Sequence, residues 1–485
     1  MMGPYRNHPV SLLKGGLICV FIAIIAIIAT ERFEFGLIGI LGFYFIFRLW
    51  HKTTYTFTEE GIDVTKSTAF KADTNIPYSK ISSINLVRSV LDRIFGTVTV
   101  SFNINSGVNA TAPEVSLILK KDKAEELRVF VESKIHSDMV IGESLAEEER
   151  QYVMFSDLEV IMHSFISMPT GTIISSIIFF IYSVIALTQE KAGLSGMFAM
   201  FIFLFSLIMP MVNQLLRYFN FRAYRSGDTI FLEHGLLQTY HSSFDIHRIN
   251  AVRVKSPLFA RLLRRSSIQA EVVGINAMTK DSTPTLCLMT SNAHNREIMG
   301  LLLPEFVSDD HITLQPKEAK KPLFMKGVAY SLITVIAAAV FIVAVTLNKE
   351  TVVNDFGGYL VFYTLIGCAV SLAAIMVFAC LYGCIVSMRA VGHHFGEEKF
   401  TFVYGVIDRE MTIMKYDRVQ MAAERSGPIS RHYGLAQCDV SFLSALGSVG
   451  KAQSGYMKAD EARYISDTVM ARIRDGRYDY RSNEI

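Results

Sequence analysis

The chain has 485 residues, of which 51% are hydrophobic and 19% charged, and its formal net charge is +2. Ordinary soluble domains carry about 25% charged residues, so the composition argues against a plain soluble enzyme and against a disordered chain. The near-neutral charge and the lack of a long basic run argue against nucleic-acid binding. The cysteines, 6 in all, are too few for a disulfide scaffold.

The sequence contains several long apolar runs. Runs without Asp, Glu, Lys or Arg occupy 15–30, 35–47, 166–187, 192–216, 327–348 and 356–388. A helix needs about 20 apolar residues to cross a bilayer, and the last four runs satisfy this. The first two need the flanking Lys14 and Arg48 to snorkel, and a re-entrant hairpin remains the alternative there. The sequence therefore predicts three transmembrane hairpins, at 15–50, 166–217 and 326–388.

The absence of charged residues from these runs bears on function. One charge at the centre of a span costs about 2.5–3.5 kcal/mol on the insertion scale, and ion-coupled transporters accept that cost because they need an intramembrane ionisable group. The runs contain none, which disfavours a pump. A lipid or small-molecule transporter built on the six-helix bundle stays open as the alternative function. Its cavity would have to be built from a few polar residues: Asn213, Gln214, Tyr330, Ser331 and Ser371.

Charge asymmetry predicts the orientation. Paired spans place the N-terminus and all long polar segments on one side of the membrane. The short connections at 31–34, 188–191 and 349–355 are mainly acidic, whereas Lys and Arg flank the other ends of the spans. The positive-inside rule then places the polar segments in the cytoplasm. The isolated Cys287 and Cys438 suit a reducing compartment.

Each hairpin is followed by alternating apolar and polar residues, which is typical of half-buried strands. Gly61, Gly235 and Gly405 each stand between two predicted strands, where a tight turn with positive φ is expected. An amphipathic helix closes each segment. The pattern predicts three repeated domains, at 52–136, 220–306 and 391–476. Linkers join them at 137–165 and 307–325, and the first linker holds an interfacial helix that begins at the capping box of Ser156 and Glu159.

Basic residues recur at fixed spacing in the three domains. An Arg stands 13 residues after each member of an aligned Lys or Arg set. The resulting candidate binding positions are Lys80, Arg93, Arg248, Arg261, Arg418 and Arg431. They could face anionic lipid headgroups, at about 1 kcal/mol per cation near the surface. Alternatively, they hold the fold through local ion pairs.

The sequence shows no catalytic motif, so we predict no catalytic residue and no enzyme activity. His393 and His394 stand near Glu397 and Glu398, but adjacent histidines point apart on a strand or helix. We therefore predict neither a metal site nor a cofactor.

The order of these features resembles a known family. A hairpin is followed by a strand–glycine–strand segment, then by IPYSKI at 76–81 and LDRIFG at 91–96. This is similar to the bacterial PH-like membrane proteins of the YdbS/YdbT family, and the whole chain resembles the long, YdbT-like form. The second domain departs from the pattern because Arg264 stands where Gly96 stands in the first.

The resemblance implies a multi-span α-helical membrane protein with three cytoplasmic all-β PH-like domains, each a β-barrel or roll of seven strands with a C-terminal helix. It implies residence in the bacterial inner membrane and a complex with a shorter YdbS-like protein. It suggests a part in envelope-stress protection and no enzyme activity. The predicted function is non-catalytic presentation of three modules at the membrane surface, for binding partner proteins or lipid headgroups.

Overall fold

A computed structural model of the chain describes residues 2–30, 34, 36–67, 71–104, 115–135, 152–187, 193–273, 283–307, 311–355, 358–444 and 449–476. It contains three units of the same architecture, which we call unit 1 (2–135), unit 2 (152–307) and unit 3 (311–476). The predicted connections at 31–34 and 188–191 lie almost entirely outside the described residues, whereas 349–355 forms a short helix.

Unit 1 comprises β1 (Met2–Tyr5), α1 (Val10–Thr30), α2 (Gly36–Lys52), β2 (Thr53–Phe57), β3 (Gly61–Ser67), β4 (Lys71–Pro77), β5 (Ile81–Arg88), α3 (Val90–Ile94), β6 (Thr97–Ile104), β7 (Val115–Lys120) and α4 (Lys121–Ile135).

Unit 2 comprises β8 (Val153–Met154), α5 (Asp157–Ile166), α6 (Thr170–Leu187), α7 (Gly193–Tyr218), β9 (Arg222–Ser226), β10 (Thr229–His234), β11 (Thr239–Asp245), β12 (Ile249–Ser256), α8 (Leu258–Leu262), β13 (Arg265–Val272), β14 (Thr285–Ser291) and α9 (Asn292–Leu302).

Unit 3 comprises β15 (Thr313–Leu314), α10 (Lys320–Leu347), α11 (Lys349–Asp355), α12 (Gly358–Ala390), β16 (Gly392–Phe395), β17 (Lys399–Tyr404), β18 (Arg409–Lys415), β19 (Met421–Arg425), α13 (Pro428–His432), β20 (Leu435–Leu443), β21 (Val449–Gln453), β22 (Met457–Lys458) and α14 (Ala459–Arg474).

Each unit is built from a first group of four antiparallel strands, a second group of three strands in units 1 and 2 and of four in unit 3, and a closing helix. The closing helices α4, α9 and α14 cover the cores with the faces that the sequence predicts. Leu127, Ile298 and Ile465 are buried, which confirms the amphipathic pattern. The sequence pattern also places Leu301 on the apolar face of α9, and there the prediction was wrong: Leu301 is exposed, whereas Met299 packs into the core.

The first strand of each unit precedes the hairpin, outside the predicted domain boundaries. β1, β8 and β15 pair with β2, β9 and β16, which follow the second helix of the hairpin. The strand before each hairpin thus pairs with the strand after it, so the sheet of a unit holds both ends of its own hairpin. In unit 1 the indole N–H of Trp50, near the end of α2, donates to the carbonyl of Asn7, 2.7 Å away.

The units are joined through their sheets. β5 of unit 1 pairs with β11 of unit 2, and β12 of unit 2 pairs with β18 of unit 3, both antiparallel. Core residues cross the second joint, since Ile413 of unit 3 packs into the core of unit 2 and Ala251 of unit 2 packs into the core of unit 3. The three units therefore form one continuous assembly and are not separate domains on a string of linkers.

Apolar helices extend from the units. Among the described residues three helices are long and apolar enough to cross a membrane: 196–218, 317–347 and 358–390. α5 and the start of α6, bent by 69°, would together give a fourth span, and 10–24 is a shorter apolar helix. The most hydrophobic windows within 317–347 and 358–390 contain no buried residue, so these two helices are not enclosed by others.

The three glycines do not occupy one position. Gly235 and Gly405 have φ of +111° and +93° and begin the turn before the fourth strand of their sheets, as predicted. Gly61 lies one hairpin earlier, at the start of β3, and is not among the residues with positive φ. There a Cβ would lie 2.4 Å from the Ile76 carbonyl, so close backbone approach explains this glycine.

Candidate membrane-facing surface

Each unit has an end that faces its apolar helices, here called the helix-proximal end, and an opposite, helix-distal end. The β10–β11 turn marks the proximal end, because the amides of Gly235 and Leu236 donate to carbonyls of Phe219 and Leu216 at the end of α7, both at 2.8 Å. The turn after β11 marks the distal end, since the amide of Ile246 donates to the Asp228 carbonyl at 2.8 Å.

The structure divides the six basic candidates between these ends. Lys80, Arg248 and Arg418 close three equivalent 3-10 turns at the distal end. Arg93, Arg261 and Arg431 lie on α3, α8 and α13 at the proximal end. An eight-residue strand such as β5 separates the two sets, about 26 Å at 3.3 Å per residue. The two residues of each unit thus do not form a common binding site.

In two of the three units the distal residue is partly buried or close to an acidic neighbour. Arg248 is half-buried, and burial lowers its pKa. The Arg418 Nε lies 3.6 Å from a carboxylate oxygen of Asp417. Lys80, by contrast, is exposed. A structural role fits Arg248 and Arg418 better than ligand binding.

The proximal residues differ among themselves. Arg261 bridges units 2 and 3, since its guanidinium donates to the Val406 carbonyl at 2.5 Å. Asp408, in the same loop of unit 3 as Val406, makes a second contact between the units, because its carboxylate accepts from the Leu258 amide of unit 2 at 3.1 Å. Arg93 and Arg431 are exposed, and within the described residues their side chains have no ion-pair partner. Among the three proximal candidates, these two are therefore the cations left for a ligand.

Exposed apolar side chains surround these proximal cations. They include Val90, Ile94 and Phe95 after β5, Leu262 and Leu263 after β12, and Leu236, Leu237, Ile407 and Ile429 on neighbouring turns. Leu262 is 79% exposed and Ile94 is 70% exposed. Apolar and basic residues together at one level are characteristic of surfaces that lie in a membrane interface. We call this set, with Arg93, Arg264 and Arg431, the proximal rim.

A buried ion pair fixes the rim of unit 1 to its hairpin. The Lys14 ammonium on α1 donates to an Asp92 carboxylate oxygen on α3, 2.7 Å away, and the Asp92 side chain is fully buried. Ser89 and Thr97 hydroxyls also donate to Asp92, at 2.7 and 2.8 Å. Burial alone would raise the pKa of Asp92, but these donors outweigh it and hold the pKa below its usual value.

Sequence reasoning missed this pair. It identified Lys14 only as a flank of the first span and Asp92 only as part of the LDRIFG segment. The equivalent buried positions in α8 and α13 hold Ala260 and Ser430, so the ion pair belongs to unit 1 alone. The one available signal was the coincidence of a lysine in the first apolar helix and an acid in the family-like segment.

A cavity of about 570 Å³ opens beside this pair, between units 1 and 2. Lys14, Ser89, Asn213, Arg217 and Tyr240 are among the residues that line it. It lies at the proximal level, and Arg217 contributes a cation to its lining in addition to the paired Lys14. Within the described residues no cluster of His, Cys, Asp or Glu could hold a metal ion.

Comparison with known families agrees with the repeat. The family model for the bacterial PH domain matches three times, at residues 10–135, 176–295 and 331–473. No curated protein and no solved structure matches the chain. The family matches cover well over half of the sequence and fall on the three units in turn. The chain therefore belongs to the bacterial PH domain family.

Proposed function

We propose that the chain is a non-catalytic, six-span protein of the bacterial inner membrane that presents three PH-like units at the cytoplasmic surface. Repeated bacterial PH domains suggest a binding or adaptor role. The observation that carries the proposal is the proximal rim, where exposed apolar and basic residues lie at the level from which the apolar helices extend. In this arrangement the rim contacts anionic headgroups and the distal ends remain open to partner proteins.

The exposure of the apolar helices supports this function over transport. A transporter needs helices that enclose a polar cavity, whereas the most hydrophobic windows of α10 and α12 contain no buried residue. Three hairpins that each stand largely in lipid are suited to anchoring. Three weak headgroup contacts on one chain would also reinforce each other through effective concentration.

A shorter YdbS-like protein is the partner we propose for the distal ends, and envelope-stress protection is the proposed setting. Both rest on the resemblance of the sequence alone. Co-expression of the two full-length proteins and affinity purification of one tests the complex. Absence of the second protein from the purified material would contradict it.

Headgroup contact is tested with the full chain in nanodiscs, made with zwitterionic lipid alone or with added anionic lipid. We expect amide exchange across 90–96 to slow about fivefold in the anionic discs, equivalent to about 1 kcal/mol for one cation at the surface. Arg93→Glu should abolish the difference between the two discs.

Lys80→Glu is the matched control, because Lys80 is an exposed cation of the same unit at the distal end. This variant should keep the parent's response. Equal exchange in both discs, or the same effect from both variants, would contradict a headgroup role for the rim.

A further inference from the structure

The two joints between units are built in the same way. Each pairs the fifth strand of one unit with the fourth strand of the next. The register is also the same, because the last residue of the fifth strand faces the first residue of the fourth: Arg88 faces Thr239, and Ser256 faces Arg409. A single mode of head-to-tail sheet pairing is therefore used twice in one chain.

In the described parts of the chain, the first and last units each have one strand of this kind of joint that is not paired with another unit. β4 is the fourth strand of unit 1 and ends its sheet. β19 is the fifth strand of unit 3 and also ends its sheet. Neither edge has a further strand partner among the described residues. Were the units to close on themselves after three, β4 and β19 would pair with each other, and they do not.

These open edges differ in exposure from their paired counterparts. Thr74 of β4 is exposed, whereas Thr412, at the equivalent place in β18, is buried against β12. Met421 of β19 is exposed, whereas the equivalent Ala251 of β12 is buried. An exposed edge carries unpaired N–H and C=O groups and is a ready template for another strand.

We propose that β4 of one molecule pairs with β19 of a second copy of the same chain, and so extends the head-to-tail series between molecules. This pairing would continue the series of joints within the chain, since β4 and β19 are the two complementary halves of one such joint. The joint register places Thr74 opposite Ala423 and Asn75 opposite Ala422. The inference rests on the proposed topology in one respect: the hairpins of both molecules must stand in one membrane.

Charges set the strength of this contact. In the same register Asp73 faces Glu424, and like charges directly opposite each other are unfavourable. Each has its own cation nearby, Lys71 at 3.0 Å and Arg463 at 2.8 Å, which reduces the repulsion. Asp73→Lys should therefore strengthen association of the full chain, by about fivefold for a change of about 1 kcal/mol at a cross-strand pair.

Crosslinking of the full-length protein in nanodiscs or mild detergent tests the proposal. Thr74→Cys combined with Ala423→Cys should give products of two or more chains with a short bis-maleimide. Thr74→Cys combined with Lys451→Cys is the matched control, since Lys451 is exposed on β21, which β20 separates from the β19 edge, and should give none. Light scattering should show Asp73→Lys shifted toward higher mass.

Three results would overturn the inference. They are a single-chain mass at all concentrations with no crosslinked product, a crosslink that closes within one chain without a gain in mass, and a crosslink to a different protein. These outcomes are separate from failure of the lipid response in nanodiscs, because the crosslink reports only on the two strand edges.

Discussion

The Lys14–Asp92 pair offers the sharpest energetic test of how a hairpin is fixed to its unit. Lys14→Met leaves a fully buried carboxylate without its cation. Removing one partner of a buried ion pair destabilises by about 3–5 kcal/mol. We expect about 3 kcal/mol here, because Ser89 and Thr97 still donate to the carboxylate.

Asp92→Ala should cost less, about 1 kcal/mol, which is typical for loss of a helix cap. Lys14 is 28% exposed and can turn toward water, and the equivalent place in α8 holds a buried Ala260. The double variant should resemble Asp92→Ala alone, giving a coupling of about 3 kcal/mol between the two side chains. Hydrogen exchange of unit 1 in nanodiscs measures these changes in opening free energy.

The pH dependence of the same cycle gives an independent check. In the parent the lowered pKa of Asp92 means that the pair's contribution is complete above the unfolded pKa and is lost as pH falls through the folded pKa. In Lys14→Met burial raises the pKa of Asp92 instead, so protonation relieves the buried charge and the defect shrinks as pH falls. Additive effects of the two substitutions, or a defect that does not change with pH, would show that Lys14 and Asp92 are not coupled as an ion pair.

Four further substitutions test local features. Arg264 has φ of +53° where unit 3 has Gly434 at +63°; Arg264→Gly should therefore stabilise unit 2 by about 1 kcal/mol, seen as slower exchange, and no gain would contradict this. Gly434→Ala, with open space around the new Cβ, should cost about 1 kcal/mol. Gly405→Ala should cost clearly more, because its Cβ would lie 1.9 Å from the Asp408 carbonyl oxygen; equal melting temperatures would count against the turn geometry. Burial lowers the pKa of His234 to about 4, so unit 2 should lose up to about 3 kcal/mol as pH falls from 6.5 to about 4. Burial lowers the pKa of His163 in the same unit in the same way, so His234→Phe should reduce that slope and leave the part due to His163; an unchanged slope would exclude His234 as a source.

Local patterns predicted much of the architecture. Apolar runs gave the helices, alternation gave most strands, and equal spacing gave the threefold repeat. The capping box of Ser156 and Glu159 is present as predicted, with the Ser156 amide donating to Glu159 at 2.9 Å. Such features depend on residues close in sequence, and a single sequence contains that information.

The short first strands could not be predicted in the same way. β8 and β15 have two residues each, too few to show alternation, and each is separated from its partner strand by a whole hairpin. The prediction that Gly61, Gly235 and Gly405 are equivalent failed for a related reason. Strand–turn–strand occurs twice in each first sheet, so Gly61 could be matched to the wrong hairpin of its neighbours.

The candidate site was only partly predictable. The equal spacing of Lys80 and Arg93 identified repeat-equivalent places, but their separation to opposite ends of the unit follows from the direction of β5. Lys14 and Asp92 lie 78 residues apart, so their contact depends on the three-dimensional arrangement of the chain. The exposure of Ile94 and Leu262 likewise depends on which neighbours the fold provides.

In the proposed topology all three units lie on the cytoplasmic side of the membrane, and their hairpins cross it. Single cysteines report this directly in the full chain: Glu350→Cys between α10 and α12, and Asp122→Cys, Glu297→Cys and Lys451→Cys on units 1, 2 and 3, all at exposed places. A membrane-impermeant maleimide applied to spheroplasts, with the parent's own labelling subtracted, should modify Glu350→Cys at once and the other three only after lysis. Labelling of any of those three in intact spheroplasts, or protection of Glu350→Cys, would contradict the account.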